Sequence, residues 1–481
     1  MKNPTGNTAL YLLQIVISGI LMLVLIPVIS QHLTPNDFGQ FVLAQVYASV
    51  AVGIANLGVL LGYERNFFIF EKSNKDSAKL ISSAMVFVTF NLVILLVAVY
   101  IFQLEISSLI LSDNTPNDLL LIVFVGASAS SLSQYYLTFL KNSGLAKSYA
   151  KYMIVNSVIN FIIAIWLITQ SSFGVMSLAY AWIISNLILL FSLFLTLRKK
   201  LPLSFDKKML KGVLEISLPL TPRVFFGFMN TQLDKILLGL IGSSSLVGIY
   251  HMGQTFALTI FQFMTGLDRV FQPEIYRKLF SDGYIDNSYE INNYILPFFY
   301  ISMFVALVVA LFSREFVSLF FSNEYQGSTP IIIILSIYYG VLFFGKVTGL
   351  QLIYAKKTNV TTLLMFLGIM INVGLNIPFI INWGIIGAAW ATTISGIFMA
   401  IISYFVAQKY VKIAWQWKIV LLIYAILLIA VMFSIIDYHF SLSLYTSLLL
   451  KSLLVFSYIV VGYITNLMSI KKIKELIFVK V

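Results

Sequence analysis

Along this chain the apolar residues come in long unbroken runs, separated by short polar stretches. Runs of about twenty apolar residues are the length a helix needs to cross hydrocarbon. They predict spans at 10–31, 38–61, 80–104, 118–140, 151–170, 174–197, 212–240, 246–268, 292–312, 329–354, 360–381, 385–407, 417–437 and 442–468. The segments at 212–240 and 246–268 are the most polar of the set. A membrane barrel would show short alternating segments instead, so the expected class is an all-α membrane protein of about 14 transmembrane helices. The first run, Leu10 to Ser30, has a weakly basic flank and no small-residue cleavage site, and reads as a retained helix rather than a removed leader.

Composition agrees with this pattern. The chain is 59% hydrophobic and only 10% charged, whereas a water-soluble domain carries about 25% charged residues. There are no cysteines, which excludes disulfides, thiolate catalysis and Cys-ligated zinc. The formal charge of +12 could suggest nucleic acid, but its distribution points to the membrane. Basic residues cluster after every even-numbered span: Arg65, Lys72, Lys75 and Lys79; Lys141, Lys147 and Lys151; Arg198 to Lys200, Lys207, Lys208 and Lys211; Arg269, Arg277 and Lys278. Lys356 and Lys357, then Lys409, Lys412 and Lys418, and finally Lys471, Lys472, Lys474 and Lys480 continue the series, and Arg314 is the lone basic residue on the other side. Lysine-rich loops stay in the cytoplasm, so both termini are expected there, facing anionic headgroups.

The chain also resembles itself. At an offset of 209, Gly39, Phe41 and Gln45 meet Gly248, Tyr250 and Gln254. At 210, Gly174, Ala179 and Ala181 meet Gly384, Ala389 and Ala391. A period of six helices preserves orientation, so the halves are parallel repeats. The expected organisation is a six-helix lobe over 1–205, a second over 206–411, and two further helices with a basic tail over 412–481.

Two stretches carry a resemblance to a known family. They are LTPNDFGQFVLAQVYASVAVGIANLGVLLGYERNFF at 33–68 and LPLTPRVFFGFMNTQLDKILLGLIGSSSLVGIYHMGQTFAL at 218–258. They resemble the polysaccharide-exporter branch of the superfamily that also holds the multidrug and toxic-compound extruders. The resemblance implies two V-shaped lobes around a central cavity, working by alternating access in a bacterial inner membrane. It implies a flippase for undecaprenyl-pyrophosphate-linked repeat units of the O-antigen or capsule type. Membrane lipids and a polysaccharide polymerase with its chain-length machinery are the expected partners, and nucleic acid is not.

Within that frame Arg223 stands out. It lies 11 residues past Gly212, roughly 16 Å along a helix and near mid-bilayer, where a charge is expensive and marks a cavity or a partner. On a helical wheel Arg223, Gly227, Asn230 and Asp234 form one stripe, opposite Phe225, Phe226, Met229, Leu233 and Ile236. Pro219 and Pro222 remove backbone donors just before it. A guanidinium fork suits phosphate oxygens, so Arg223 is the leading candidate for the pyrophosphate or an acidic sugar, with pairing to a carbonyl or a neighbouring acid as the structural reading. Lys346, flanked by Gly340, Gly345 and Gly349, is either a cavity cation or a snorkelling side chain. Arg65 and Lys141 could receive headgroups at a cavity mouth. Asp234 is expected to pair with a cation. Lys235 and Lys451 are expected to snorkel to the surface. The amides Gln14, Gln45, Asn56, Asn91, Gln134, Asn156, Asn160 and Asn186 are expected mostly to join helices, with sugar hydroxyls as the alternative for a subset.

No catalytic constellation is present, and no phosphate-binding G-x-x-x-x-G-K-[ST] loop. No enzyme activity and no cofactor are expected; energy would come from an H+ or Na+ gradient or the membrane potential. The alternatives from the same superfamily are a lipid II flippase, whose arginine-bearing first helix is not matched here, and a cation-drug antiporter, which calls for buried acids in the lobes. A glycan polymerase would need a larger outward loop.

Overall fold

The computed structural model describes residues 4–70, 73–111, 118–170, 173–280, 284–440 and 442–467. Their regular structure is helical. In chain order it comprises α1 (Pro4–His32), α2 (Pro35–Asn56), α3 (Val59–Phe70), α4 (Asn74–Ile101), α5 (Gln103–Ile110), α6 (Leu119–Asn142), α7 (Ala146–Gln170) and α8 (Met176–Leu197). It continues with α9 (Lys207–Ile241), α10 (Ser244–Phe280), α11 (Tyr284–Leu311), α12 (Ser313–Phe320), α13 (Ser328–Tyr354), α14 (Thr358–Tyr410), α15 (Trp417–Phe440) and α16 (Leu444–Ile464). Lys72, Lys471, Lys472, Lys474 and Lys480 lie outside the described residues.

Eleven of these helices are long and apolar enough to cross a membrane. One of them, α14, is two spans joined at Gly384, where φ 55° and ψ −131° interrupt the helix. Only glycine adopts that conformation readily. The more polar α9 and α10 are 35 and 37 residues long, sufficient to cross at about 1.5 Å per residue. These account for all fourteen expected spans.

Local sequence sets the helix starts. Thr34 caps α2, accepting the Asp37 N–H at 3.2 Å and donating its own hydroxyl to the Asp37 carboxylate at 2.8 Å, with Pro35 in the first turn. The Thr-Pro-Asn-Asp motif is thus a helix start. Asp206 caps α9 through the Lys208 and Met209 N–H groups.

The second span is broken. Leu57 is left-handed (φ 44°) and Gly58 follows at φ 70°, separating α2 from α3. The carbonyls freed there are satisfied by side chains: Asn91 donates to Ala55 O at 2.9 Å and Thr221 to Leu57 O at 2.9 Å. Asn56 bridges the turn to α6, accepting the Tyr135 hydroxyl at 2.8 Å and donating to Ser131 at 2.7 Å. A broken span requires such substitutes, because hydrocarbon offers none.

The repeat reaches further in three dimensions than in sequence. Helices α4 and α11 start and end 210 residues apart, as do α5 and α12. Phe102 (φ −101°, ψ 17°) and Phe312 (φ −100°, ψ 10°) make the same joint before the short helix. Ser108 donates to Glu105 O and Ser318 to Glu315 O, both at 3.0 Å. Gly174 (φ 54°) and Gly384 (φ 55°) make matching breaks. Asn160 donates to Ser185, and Asn372 to Ser395, both at 3.1 Å.

The chain divides into two compact units, Met1–His251 and Met252–Val481. In the first, α6 packs on α2, α4 and α8, while α7 packs on α1 and α8. Here the repeat-related Gly39 and Gly248 face each other. A Cβ on Gly39 would overlap the Ser244 carbonyl, and one on Gly248 the Pro35 carbonyl. Gly39→Val and Gly248→Val are each expected to lower the yield of folded, monodisperse protein severalfold, read by size-exclusion chromatography in detergent.

In the second unit α13 is the central helix, packed on α11, α14 and α15. Phe343 and Phe344 lie against Phe299, with Trp415 and Tyr424 beside Phe344. Such contacts between membrane helices stabilise by close packing, since lipid is as apolar as they are. The appended helices α15 and α16 are fastened at two levels. Tyr300 and Tyr458 stack at 4.6 Å and each donates its hydroxyl to the other's carbonyl, at 2.9 and 2.7 Å. Towards the lysine-poor side Asp437 receives Arg314 at 2.6 Å, Lys451 at 2.9 Å and the Ser447 hydroxyl at 2.8 Å; Lys451 also pairs with Glu315.

Lys451 is therefore fully buried rather than snorkelling. Lys235, 6% exposed, is buried as well and donates to Gln232 at 2.7 Å. Both expectations fail for the same reason: each ammonium finds an oxygen inside the protein and has no need to reach the headgroups.

Candidate functional site

The second unit presents one cationic stripe beside open space. Helix α13 is mostly buried, yet Gly345 is exposed, and a Cβ on Gly345 or Gly349 would meet no atom within 4 Å. Between these glycines Lys346 projects from the lysine-rich half of α13. Its Nζ lies 3.3 Å from Asp268 Oδ2 and 5.0 Å above the centre of the Phe261 ring, both on α10. The pair is largely but not wholly covered, with side chains 18% and 21% exposed. The other Asp268 oxygen, Oδ1, is buried without a hydrogen-bond partner. Arg269, adjacent on α10, makes no ion pair among the described residues.

This arrangement can do two things. Asp268 and the Phe261 face hold the Lys346 ammonium in place and offset the cost of its burial. A stronger anion arriving beside Lys346 can share or displace Asp268, because a single ammonium has three donors. The site is thus a held cation with room in front of it.

In the first unit the expected residues fall into two groups. Arg65 on α3 is exposed and donates to Asn66 Oδ1 at 3.0 Å; Asn66 in turn donates to Gly212 O on α9 at 3.2 Å. Lys141 at the end of α6 pairs with Glu64 at 2.6 Å, both side chains well exposed. The fold therefore brings Arg65 and Lys141 to one lysine-rich edge, with Glu64 between α3 and α6. An exposed pair of this kind adds about 0–1 kcal/mol to stability, so both cations stay available.

The α9 stripe is only partly described. Its backbone is helical through Arg223, Gly227, Asn230 and Asp234. The side chains of Arg223 and Asn230 lie outside the described residues. Gly227, between them on the wheel, borders open space. Asp234 does not: it is 6% exposed and accepts the Tyr250 hydroxyl at 2.8 Å. Among the amides, Asn56, Asn91 and Asn160 join helices as expected, whereas Gln14 and Asn186 bond within their own helices and Asn156 Oδ1 is buried without a hydrogen-bond partner.

Asp268 is not singled out from sequence, because it falls at the expected end of the eighth span, and Arg269 is read there only as a basic residue of the connection. Helix α10 instead runs on to Phe280. The signal was present as Phe271, Ile275 and Leu279, one buried stripe at four-residue spacing.

A family model described as polysaccharide biosynthesis protein matches residues 28–330. No curated protein matches the chain. Among solved structures, the lipid II flippase MurJ in an inward closed conformation is similar, with a TM-score of 0.70 and 17% identity, over 94% of this chain and 98% of that one. The MATE transporter VcmN of Vibrio cholerae is similar with a TM-score of 0.55 and 17% identity, over 84% and 95%. A MOP superfamily transporter from Pyrococcus furiosus gives a TM-score of 0.54 and 17% identity, over 85% and 96%.

Proposed function

Because this chain belongs to the polysaccharide biosynthesis protein family, whose solved relatives in fold are transporters and flippases rather than enzymes, we propose that it flips undecaprenyl-pyrophosphate-linked oligosaccharide repeat units across a bacterial cytoplasmic membrane. It is a multi-pass membrane protein; on this reading both termini face the cytoplasm, where the lysine-rich connections meet anionic lipid.

The observation that carries the proposal is Lys346, held by Asp268 on the open, glycine-flanked stripe of α13. A pyrophosphate is the feature common to all such substrates, and a cation in a low-dielectric setting attracts it far more than in water. Arg223 and Lys346 would take the pyrophosphate during transit. Asn230 would meet sugar hydroxyls. Arg65 and Lys141 would collect the headgroup at the lysine-rich edge. Asp234, buried against Tyr250, would position α9 rather than touch the substrate. The two repeats, 1–205 and 206–411, would supply the moving lobes, with 412–481 attached. The chain carries no ATP-binding loop, so an ion gradient, the membrane potential or consumption of the product downstream by a polymerase would drive the cycle.

The fold match over 94% of this chain to a lipid II flippase supports a second reading in which the glycan is a peptidoglycan precursor. Arg223→Ala tests the site in cells. The expected result is completed repeat units trapped on the inner leaflet with normal abundance of the flippase. Loss of the protein itself would mark Arg223 as structural, and trapped lipid II instead of repeat units would favour the second reading.

A further inference from the structure

The internal repeat leaves one face conspicuously bare. In the second unit, α11 and α12 are covered by the appended helices: Tyr300 stacks on Tyr458, Phe312 lines a groove with Ser452, Val455 and Phe456, and Glu315 takes Lys451. The corresponding helices of the first unit, α4 and α5, are built on the same joint 210 residues earlier, and among the described residues no counterpart of α15 or α16 packs on them. Phe90 is 64% exposed where Tyr300 is 1%; Val97 is 51% where Leu307 is 0%; Ile101 is 61% where Leu311 is 0%. Of the most apolar stretch of each helix, 67% is buried in α11 against 17% in α4.

Apolar side chains alone would be satisfied by lipid. Glu105 adds a charge at the edge of this face. It is the repeat equivalent of Glu315, sits on α5 at the lysine-poor end, is exposed, and has no ion-pair partner among the described residues. In the second unit the equivalent carboxylate takes its counter-charge from Lys451 on α16, a helix long and apolar enough to cross a membrane.

We propose that the α4–α5 face docks a transmembrane helix of another membrane protein, one that carries a lysine or arginine opposite Glu105. The template within the chain defines the occupant further. Lys451 and Tyr458 are seven residues apart on α16, two turns, and contact Glu315 and Tyr300. The partner helix therefore presents a cation near its lysine-poor end and a ring or small residue two turns away, against Phe90. A second copy of this chain does not fit, because its own α15 and α16 are already engaged by their α11 and α12. This inference stands apart from the substrate assignment, since it rests on the exposed side of α4 and on neither Arg223 nor Lys346.

The test is site-specific photo-crosslinking in native membranes, with p-benzoylphenylalanine at Phe102 and a control at Trp166, which is slightly more exposed on α7. The expected adduct from Phe102 joins a transmembrane segment of a different protein, with Lys or Arg within one turn of the attachment point, and Trp166 gives none. Glu105→Lys should lower the adduct yield per flippase by about tenfold, the effect of losing roughly 1.4 kcal/mol, and exchanging the partner's cation for glutamate should restore it. Adducts with lipid only, adducts with a second copy of this chain, or a protein adduct indifferent to Glu105→Lys would each overturn the proposal.

Discussion

Lys346→Ala is expected to reduce export per folded molecule by about tenfold to a hundredfold, since a charge-assisted hydrogen bond contributes about 1.5–3 kcal/mol. Cells would show repeat units retained on the inner leaflet. The neighbouring change separates binding from release. Asp268→Asn leaves Lys346 without its carboxylate at 3.3 Å, so an incoming pyrophosphate no longer competes with it. Substrate should then bind more tightly and leave more slowly, lowering turnover without weakening affinity. A proteoliposome assay that measures both quantities checks this. If Lys346→Ala and Asp268→Asn weaken binding equally, the pair serves the fold and not the substrate.

Lys451→Met is expected to be the most damaging single change to stability. It strands Asp437, whose side chain is 1% exposed, with Arg314 as its remaining cation, and strands Glu315 as well. Removing one partner of a buried pair costs about 3–5 kcal/mol. The protein should melt at clearly lower temperature in detergent, with α15 and α16 the first region to become accessible to protease. The double change Lys451→Met with Asp437→Leu removes the more deeply buried of the two stranded carboxylates, at the cost of Arg314's partner, and should recover part of the loss. Equal melting temperatures for the single variant and the parent would show that the network contributes nothing.

The architecture was legible because its signal is local. Apolar runs and lysine placement give the spans one at a time, and the matching glycines at 39 and 248 and at 174 and 384 betray the duplication. The pairings were not legible because they are remote. Lys346 meets Asp268 across 78 residues and Lys451 meets Glu315 across 136, distances at which no spacing rule applies. Lys235 and Lys451 near span ends looked like side chains that reach for headgroups, and only the fold reveals the oxygens that hold them. The correspondence of α4–α5 with α11–α12 was hidden for a different reason. It is strong in backbone geometry but leaves few identities, among them Glu105 with Glu315 and Ser108 with Ser318. Within the α9 stripe, the wheel grouped Asp234 with Arg223, yet Asp234 is turned into the packing by Tyr250, because a hydroxyl donor on α10 offers a carboxylate more than open space does.

The joint at Leu57–Gly58 divides the second span into rods of 22 and 12 residues. A continuous rod meets a thicker or thinner bilayer by tilting as a whole and carrying its neighbours with it. Two rods meeting at a glycine can take up the mismatch as a change in the angle between them, with Asn91 and Thr221 keeping the bared carbonyls supplied. The break therefore lets the two rods keep different tilts within one span, so that the tight Gly39–Gly248 crossing need not share the tilt of α3.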